Sequence, residues 1–374
     1  MLKFIHSSDL HLGKRFANMP EEIRGRLREA RHAVLGKLAE AARDHGASVI
    51  LIAGDTFDTE TPSPEIRRQT LAEMAAHAPL QWIILPGNHD SLQASQLWNA
   101  LQAEAPANVV LAMEPRPIML SADATLLPAP CTTRRPGRDL TEWVDNAATP
   151  DRNIRVCLAH GGILDFSEDG DASGIIAPDR AKRSGLDYLA LGDWHGTMAV
   201  DPRTHYSGTP EPDRFKHNEP GRALAVEIPA AGAEPIVTPV ETGTFSWSTQ
   251  PLHLLSEDDP AALVRQLLPE GVKRRQTLMR ILASGRTRPD GRASLAATIE
   301  HAAPEFAFLA LDDAGLETDC EAGDLDAIDK AGALRIAAEE LLTDSDNTAL
   351  SAAERQVARE ALLRLFSYSQ KIAS

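Results

Sequence analysis

At 374 residues, 43% hydrophobic and 25% charged, the chain has the makeup of a water-soluble globular protein and more length than one core usually organises, so two domains are expected. A net charge of −16 gives no bulk attraction to a polyanion; nucleic acid would have to be met by local basic clusters or by bound cations. Cys131, Cys157 and Cys320 are odd in number and far apart, which argues against a disulfide framework or a thiolate zinc site. The opening "MLKFIHSSDL" lacks the apolar core of a signal peptide, and no apolar run approaches the roughly 18 residues that span a bilayer, so a cytoplasmic protein without membrane contact is expected.

In chain order, "LKFIHS" (2–7) reads as a buried strand. Residues 21–46 carry Ile23, Leu27, Ala30, Val34, Leu38 and Ala41 at helical spacing, with Gly46 closing the helix. "SVILIAG" (48–54) and "LQWIILPG" (80–87) are further apolar strands, separated by a helix at about 65–77 and followed by one at 96–104. Strands alternating with helices imply a largely parallel, helix-covered sheet. Further strands are expected at 108–112, 116–120, 124–128, 154–159, 187–191, 204–207, 222–228 and 235–240, the last of them close enough together for an antiparallel portion or a second sheet. The expected fold is α/β, a two-sheet β-sandwich flanked by helices. From 244 to 313 the pattern is β-α-β-α-β, a small α+β unit. An acidic stretch (Glu317, Asp319, Glu321, Asp324, Asp326, Asp329) reads as solvated linker, and helix-like segments follow at 325–342 and 350–370.

The chemistry-bearing residues stand just past the ends of apolar strands. Asp9 and His11 follow the first, Asp55 in "AGDTFD" the second, and Asn88 and His89 in "PGNHD" the third; His160 and then Asp193 and His195 in "GDWH" follow two later ones. The carboxyl ends of strands in an α/β sheet form the crevice where ligands collect. An extended segment would point Asp9 and His11, or Asp193 and His195, to the same side. The glycines before Asp55, Asn88 and Asp193 allow unusual dihedrals and close approach. Imidazole, carboxylate and amide ligands without thiolate suit a first-row divalent ion, manganese first, with iron, zinc or magnesium as alternatives. Seven candidate ligands are too many for one ion, which points to a two-ion site of the kind that phosphatases and nucleases use.

In order and spacing, "SSDLHLG", "GDTFD", "GNHD", the lone "AH" and "GDWH" resemble the five motifs of the calcineurin-like metallophosphoesterases. "HSSDLHLG", "GDTFDTETPSPE" and the small α+β unit look most like the SbcD branch, the DNA double-strand-break repair nucleases. The motif likeness covers about residues 1–230; over 240–315 it is architectural only, and beyond 320 little transfers. The resemblance implies a catalytic domain at 1–240, a capping domain at 241–316, and an acidic linker with C-terminal helices at 317–374. It implies that Asp9, His11, Asp55 and His195 hold one ion, that Asp55 bridges, and that Asn88, His160 and Asp193 complete the second site. His89 becomes the acid that serves the leaving oxygen, and Asp58 and Asp90 orient imidazoles. The implied activity is metal-dependent hydrolysis of DNA phosphodiesters, with DNA, an SbcC-type ATPase and a second copy of the chain as partners. A general phosphodiesterase or phosphatase, and a non-catalytic DNA-binding subunit, are the alternatives. At Asp193 the chain departs from the branch, which usually carries histidine there; the extra carboxylate favours harder ions.

Other residues have plainer readings. His6 lies inside the first strand and reads as packed; Trp194 reads equally as packing or as substrate contact. "HYSGTPEPDRFK" (205–216) is expected to loop near the site. Candidate phosphate contacts are Lys14, Arg15, Arg214 and Lys216, with further basic clusters at Arg134/Arg135/Arg138, Lys182/Arg183 and Lys273/Arg274/Arg275.

Overall fold

The computed structural model describes residues 1–163, 175–319, 324–328 and 332–373. Cys320, Glu321 and Asp329 lie outside the described residues. The chain divides into two compact units, Met1–Trp247 and Ser248–Ser374.

In the first unit, β1 (Leu2–Ser7), β2 (Val49–Ile52), β3 (Gln81–Ile84) and β4 (Val109–Leu111) run parallel. They are linked by α1 (Glu21–Asp44), α2 (Pro64–Ala76) and α3 (Ser95–Glu104). The Ser63 hydroxyl accepts from the Ile66 N–H and Pro64 occupies the first turn, which together fix the start of α2. The second sheet is built from β5 (Ile118–Ser121), β6 (Ala124–Ala129), β7 (Ile154–His160), the one-turn α4 (Arg180–Arg183), β8 (Tyr188–Gly192), β9 (Met198–Asp201) and β10 (Thr204–Tyr206). The chain then returns to the first sheet as β11 (Arg222–Ile228), antiparallel to β1, and β12 (Ile236–Glu241). The sheet orders are β12-β11-β1-β2-β3-β4 and β5-β6-β7-β8-β10-β9.

Strands covered on both faces need apolar residues throughout, and these have them. Phe4, Val49, Leu51 and Ile83 point into the layer between the sheets against Leu126, Val156, Leu158 and Ala190. Their neighbours Ile5, Ile50, Ile52 and Ile84 point the other way, against Val34, Leu35 and Leu38 of α1. Each such fully buried aliphatic side chain contributes roughly 1.5–3 kcal/mol. The outer face of the second sheet buries Leu127, Cys157, Leu189 and Leu191. His6 is packed, as the sequence suggests. Its Nε2–H donates to the Leu191 carbonyl at 3.1 Å and its Nδ1 accepts from the Tyr188 hydroxyl at 3.1 Å.

The second unit contains β13 (Ser246–Leu254, which starts at the boundary), α5 (Pro260–Leu267), β14 (Thr277–Thr287), α6 (Pro289–Ala302) and β15 (Phe308–Thr318). The sheet order is β13-β14-β15, with β14 and β15 parallel across α6, and Leu254, Val264, Ile281 and Leu295 lie in its core. A hairpin of α7 (Ala333–Asp346) and α8 (Ala352–Ala373) packs Ala338, Leu362 and Phe366 against Leu325 and Ile328. Two boundaries differ from expectation. β15 runs into the acidic stretch as far as Thr318, because Gly285, Arg286 and Thr287 of β14 continue the ladder and Arg286 pairs with Glu317 at 3.3 Å and Asp319 at 3.8 Å. The helix expected from 325 begins at Ala333, after a single 3-10 turn at Asp324–Ala327.

Candidate metal centre

Five strand ends of the first unit deliver the predicted residues to one place. β1 stops at Ser7 and β8 at Gly192, so the paired ligands beyond them sit in loops. Extended alternation therefore does not orient them. Asp9 (φ 54°), His11 (φ 44°), Asp55 (φ 55°) and Asp193 (φ 96°) all hold left-handed backbone, a conformation rare for non-glycine residues and concentrated at functional sites. The glycines permit the crowding. A Cβ at Gly87 would lie 2.1 Å from Asp55 Oδ1, and one at Gly192 would lie 2.0 Å from the Ala53 carbonyl oxygen.

Asp55 is central and buried. Its Oδ2 lies 3.7 Å from His11 Nε2 and its Oδ1 lies 3.6 Å from His160 Nε2, so its two oxygens address two different imidazoles. Around the first, Asp9 Oδ1 is 4.0 Å from both His11 Nε2 and His195 Nε2, and the two Nε2 atoms are 3.3 Å apart. Around the second, His160 Nε2 is 3.8 Å from Asp193 Oδ1, which accepts from Asn88 Nδ2 at 3.1 Å. Asp193 and His195 thus diverge, one to each cluster. Asp9–His11–His195, Asp9–Asp55–His160 and His11–Asp58–His89 each bring ligand atoms within 4.8 Å of one another.

The donor set fits divalent ions. His160 Nδ1–H donates to the Ala53 carbonyl at 2.8 Å, which leaves the Nε2 lone pair facing the carboxylates, buried and without a hydrogen-bond partner. The Asn88 side-chain oxygen is likewise buried without a partner. His195 Nδ1 meets Asp213 Oδ1 at 3.2 Å, so its Nε2 faces that of His11 across a gap that needs a proton or a cation. Electrostatics agree. Burial raises the Asp55 carboxyl well above its ordinary value, against the pull of His160, and Asp90 and Asp9 add to the rise. Burial alone would lower His160, but Asp55, Asp9 and Asp193 push it up to about 9. The Asp55–His160 side of the cluster favours positive charge.

The surrounding residues divide by role. His89 Nδ1–H donates to the Asp58 carbonyl at 2.9 Å, which fixes the ring through that nitrogen. Asp58 Oδ1 lies 3.5 Å from His11 Nδ1 and 3.7 Å from Lys14 Nζ. The Asp90 carboxylate accepts from the Gly87 and Phe57 amides at 2.7 and 3.0 Å, so it ties two ligand loops together, and the Asp90 carbonyl accepts from the Trp98 indole N–H at 2.8 Å. Lys14 Nζ is 2.7 Å from Asp213 Oδ2, Arg214 Nε donates to Asp213 Oδ1 at 3.0 Å, and Lys216 Nζ lies 6.0 Å over the Trp194 ring; Arg15 is exposed. Sequence reasoning missed two braces. Asp213 is buried against His195, and Arg31 is buried in α1, donating to the backbone carbonyls of Asp9, Leu10 and Glu211. An arginine on the apolar face of α1, next to Ala30 and three residues before Val34, was the available signal.

A two-sheet α/β sandwich with imidazoles and carboxylates gathered at its strand ends defines the class of the chain: an α/β sandwich with a candidate metal centre at its strand ends. The family model for calcineurin-like phosphoesterase matches residues 2–197, and the chain belongs to that family, whose members bind divalent metals. It is 26% identical over 227 residues to "Uncharacterized metallophosphoesterase YhaO" of Bacillus subtilis, covering 58% of this chain and 54% of that protein. It is 30% identical over 132 residues to the SbcD component of nuclease SbcCD from Rhodobacter capsulatus (34% of this chain, 31% of that one) and 35% identical over 98 residues to the same component from Escherichia coli K12 (24% and 22%). The chain spans about half or less of the length of these relatives. Among the described residues no helix is long and apolar enough to cross a membrane.

Proposed function

We propose that this chain is a two-metal phosphodiesterase that hydrolyses DNA in repair, beside an SbcC-type ATPase. The observation that carries the reading is Asp55, whose two oxygens each face a different imidazole at 3.7 and 3.6 Å, as a carboxylate bridging two cations must. In this reading Asp9, His11, His195 and Asp55 hold one ion, and Asp55, Asn88, His160 and Asp193 hold the other. When bound, such a pair neutralises the phosphoryl oxygens and makes a nucleophile available at neutral pH. The carboxylate-rich set favours manganese or magnesium. His89, anchored through Nδ1 to the Asp58 carbonyl, presents Nε2 to hand a proton to the departing oxygen. The names of the SbcCD relatives support a nuclease reading and a partner protein.

Purified protein incubated with manganese and end-labelled single- and double-stranded DNA tests this. Cleavage is expected, with loss in Asn88→Ala and His89→Ala. Metal binding without DNA cleavage, but with turnover of an aryl phosphodiester, would move the substrate to another phosphodiester class.

A further inference from the structure

The turn that carries Asp9 and His11 also carries a lysine. Gly13 holds left-handed backbone (φ 93°), and the Lys14 N–H closes the turn onto the His11 carbonyl at 3.2 Å. The Lys14 side chain is largely covered, with 24% of it exposed. Its Nζ lies 2.7 Å from Asp213 Oδ2 and 3.7 Å from Asp58 Oδ1. Each of those carboxylates faces one imidazole of the same half of the centre. Asp213 Oδ1 is 3.2 Å from His195 Nδ1, and Asp58 Oδ1 is 3.5 Å from His11 Nδ1, which is buried and has no hydrogen-bond partner among the described residues. On the other side of the two rings, the Nε2 atoms stand 3.3 Å apart.

We propose that Lys14 is a positioning residue: one ammonium holds Asp213 and Asp58, and through them turns the Nε2 atoms of His195 and His11 toward a single cation. The inference rests on the two-metal reading and adds a residue to it. Two effects oppose each other. An ammonium near a dication repels it, so charge alone would make Lys14 unfavourable for metal binding. Against that, a carboxylate behind each imidazole fixes the ring and raises its basicity, and such outer contacts are typically worth roughly 10–100-fold in metal affinity. The repulsion is screened by solvent at the ammonium and offset by the two carboxylates it pairs with. Orientation wins. The same contacts turn Lys14 away from DNA. A phosphate could draw the ammonium off only by taking it from Asp213, whose side chain is fully buried and costly to leave short of positive charge.

Calorimetric titration of manganese into the metal-free full chain tests this. The binding step that belongs to this half is the one that Asp213→Asn weakens. Lys14→Met keeps the stem but not the charge, and should weaken that step about three- to tenfold. Lys14→Arg can still reach both carboxylates and should restore it to within about twofold of the wild type. Added to Asp213→Asn, Lys14→Met should cost less than it does alone, because one of the two carboxylates it orders has lost its charge. Thermal unfolding checks the fold, and Lys14→Gln takes the place of Lys14→Met if the latter is unstable. In EDTA, the slope of DNA affinity against salt should match the wild type, whereas a lost phosphate contact would reduce it by about 0.9. Tighter or unchanged manganese binding in Lys14→Met, an equal loss in Lys14→Arg, full additivity with Asp213→Asn, or a slope reduced by that amount would overturn the proposal. A wild type that binds no manganese would remove the metal centre and this role together; wild-type binding that Lys14→Met leaves unmoved removes the role alone.

Discussion

The two halves of the candidate centre are held in different ways. The Asp9–His11–His195 half stands on charged braces: Asp213 beside His195, Asp58 beside His11, Lys14 between those two carboxylates, and Arg31 beneath the Asp9 loop. The His160–Asn88–Asp193 half stands on backbone, with the Ala53 carbonyl fixing His160 and Gly192 packed so closely against that carbonyl and the His160 ring that a Cβ there would clash. Side-chain braces tune the orientation and basicity of an imidazole and can be removed one at a time. A backbone brace is set by the sheet and cannot be. The first half is therefore the adjustable one, and the second is the fixed one.

Asp55 joins the halves, so its loss should erase the distinction between them. Asp55→Asn is expected to lower metal-dependent phosphodiesterase kcat/KM by on the order of 10³ or more, the size of a lost preorganised electrostatic contact, with both ions weakened in calorimetric titration. If one metal-binding step kept its affinity, the bridge would be wrong. Next comes the brace. Asp213→Asn removes the charge behind His195, and manganese affinity of the first half should fall roughly 10–100-fold while the second half changes little. An equal loss at both steps would mean that the halves do not differ as described. Smaller again is Asp193→His, which removes a carboxylate from the second half only. Activity with magnesium relative to zinc should drop a few-fold, since imidazole suits zinc and carboxylate suits magnesium. An unchanged ratio would show that the Asp193 charge plays no part in metal choice.

The same contrast explains what could be read from the sequence. The second-half residues, and the ligand positions generally, announce themselves because each follows an apolar strand, and Asp55, Asn88 and Asp193 also a glycine, features local in sequence. The strands were legible for a similar reason: burial on both faces forces apolar runs such as "VILI" and "QWII". The braces were not. Asp213 reaches His195 from a loop 18 residues on, and Arg31 reaches the backbone of Asp9 and Glu211 from α1. Such contacts exist only once the chain is folded. The orientation of the paired ligands was also out of reach, because strand alternation stops at Ser7 and Gly192 and left-handed residues take over. The far end of β15 was masked by its acidic composition, although surface pairs with Arg286 make that charge tolerable.

The last effect is one of pH, and it bears on the sheet that carries the adjustable half. Burial, and then the nearby His205, lowers the His6 imidazole from 6.5 to about 3, against the Leu191 carbonyl. Between those values the unfolded chain holds a proton that the folded chain refuses. Stability is therefore intact above about pH 6.5 and declines as pH falls toward 3, by up to about 1.4 kcal/mol per pH unit from this group. His6→Gln keeps a side chain able to donate to Leu191 and removes the titration, so denaturant midpoints measured from pH 7 to pH 4 should fall less steeply than in the wild type. The difference in slope isolates His6 from the many carboxylates that titrate in both proteins. Parallel slopes would mean that the ring takes up its proton inside the fold. The Tyr188–His6–Leu191 bridge between the two sheets would then yield at mild acidity, and β1, which leads directly to Asp9 and His11, would be less firmly held than its burial implies.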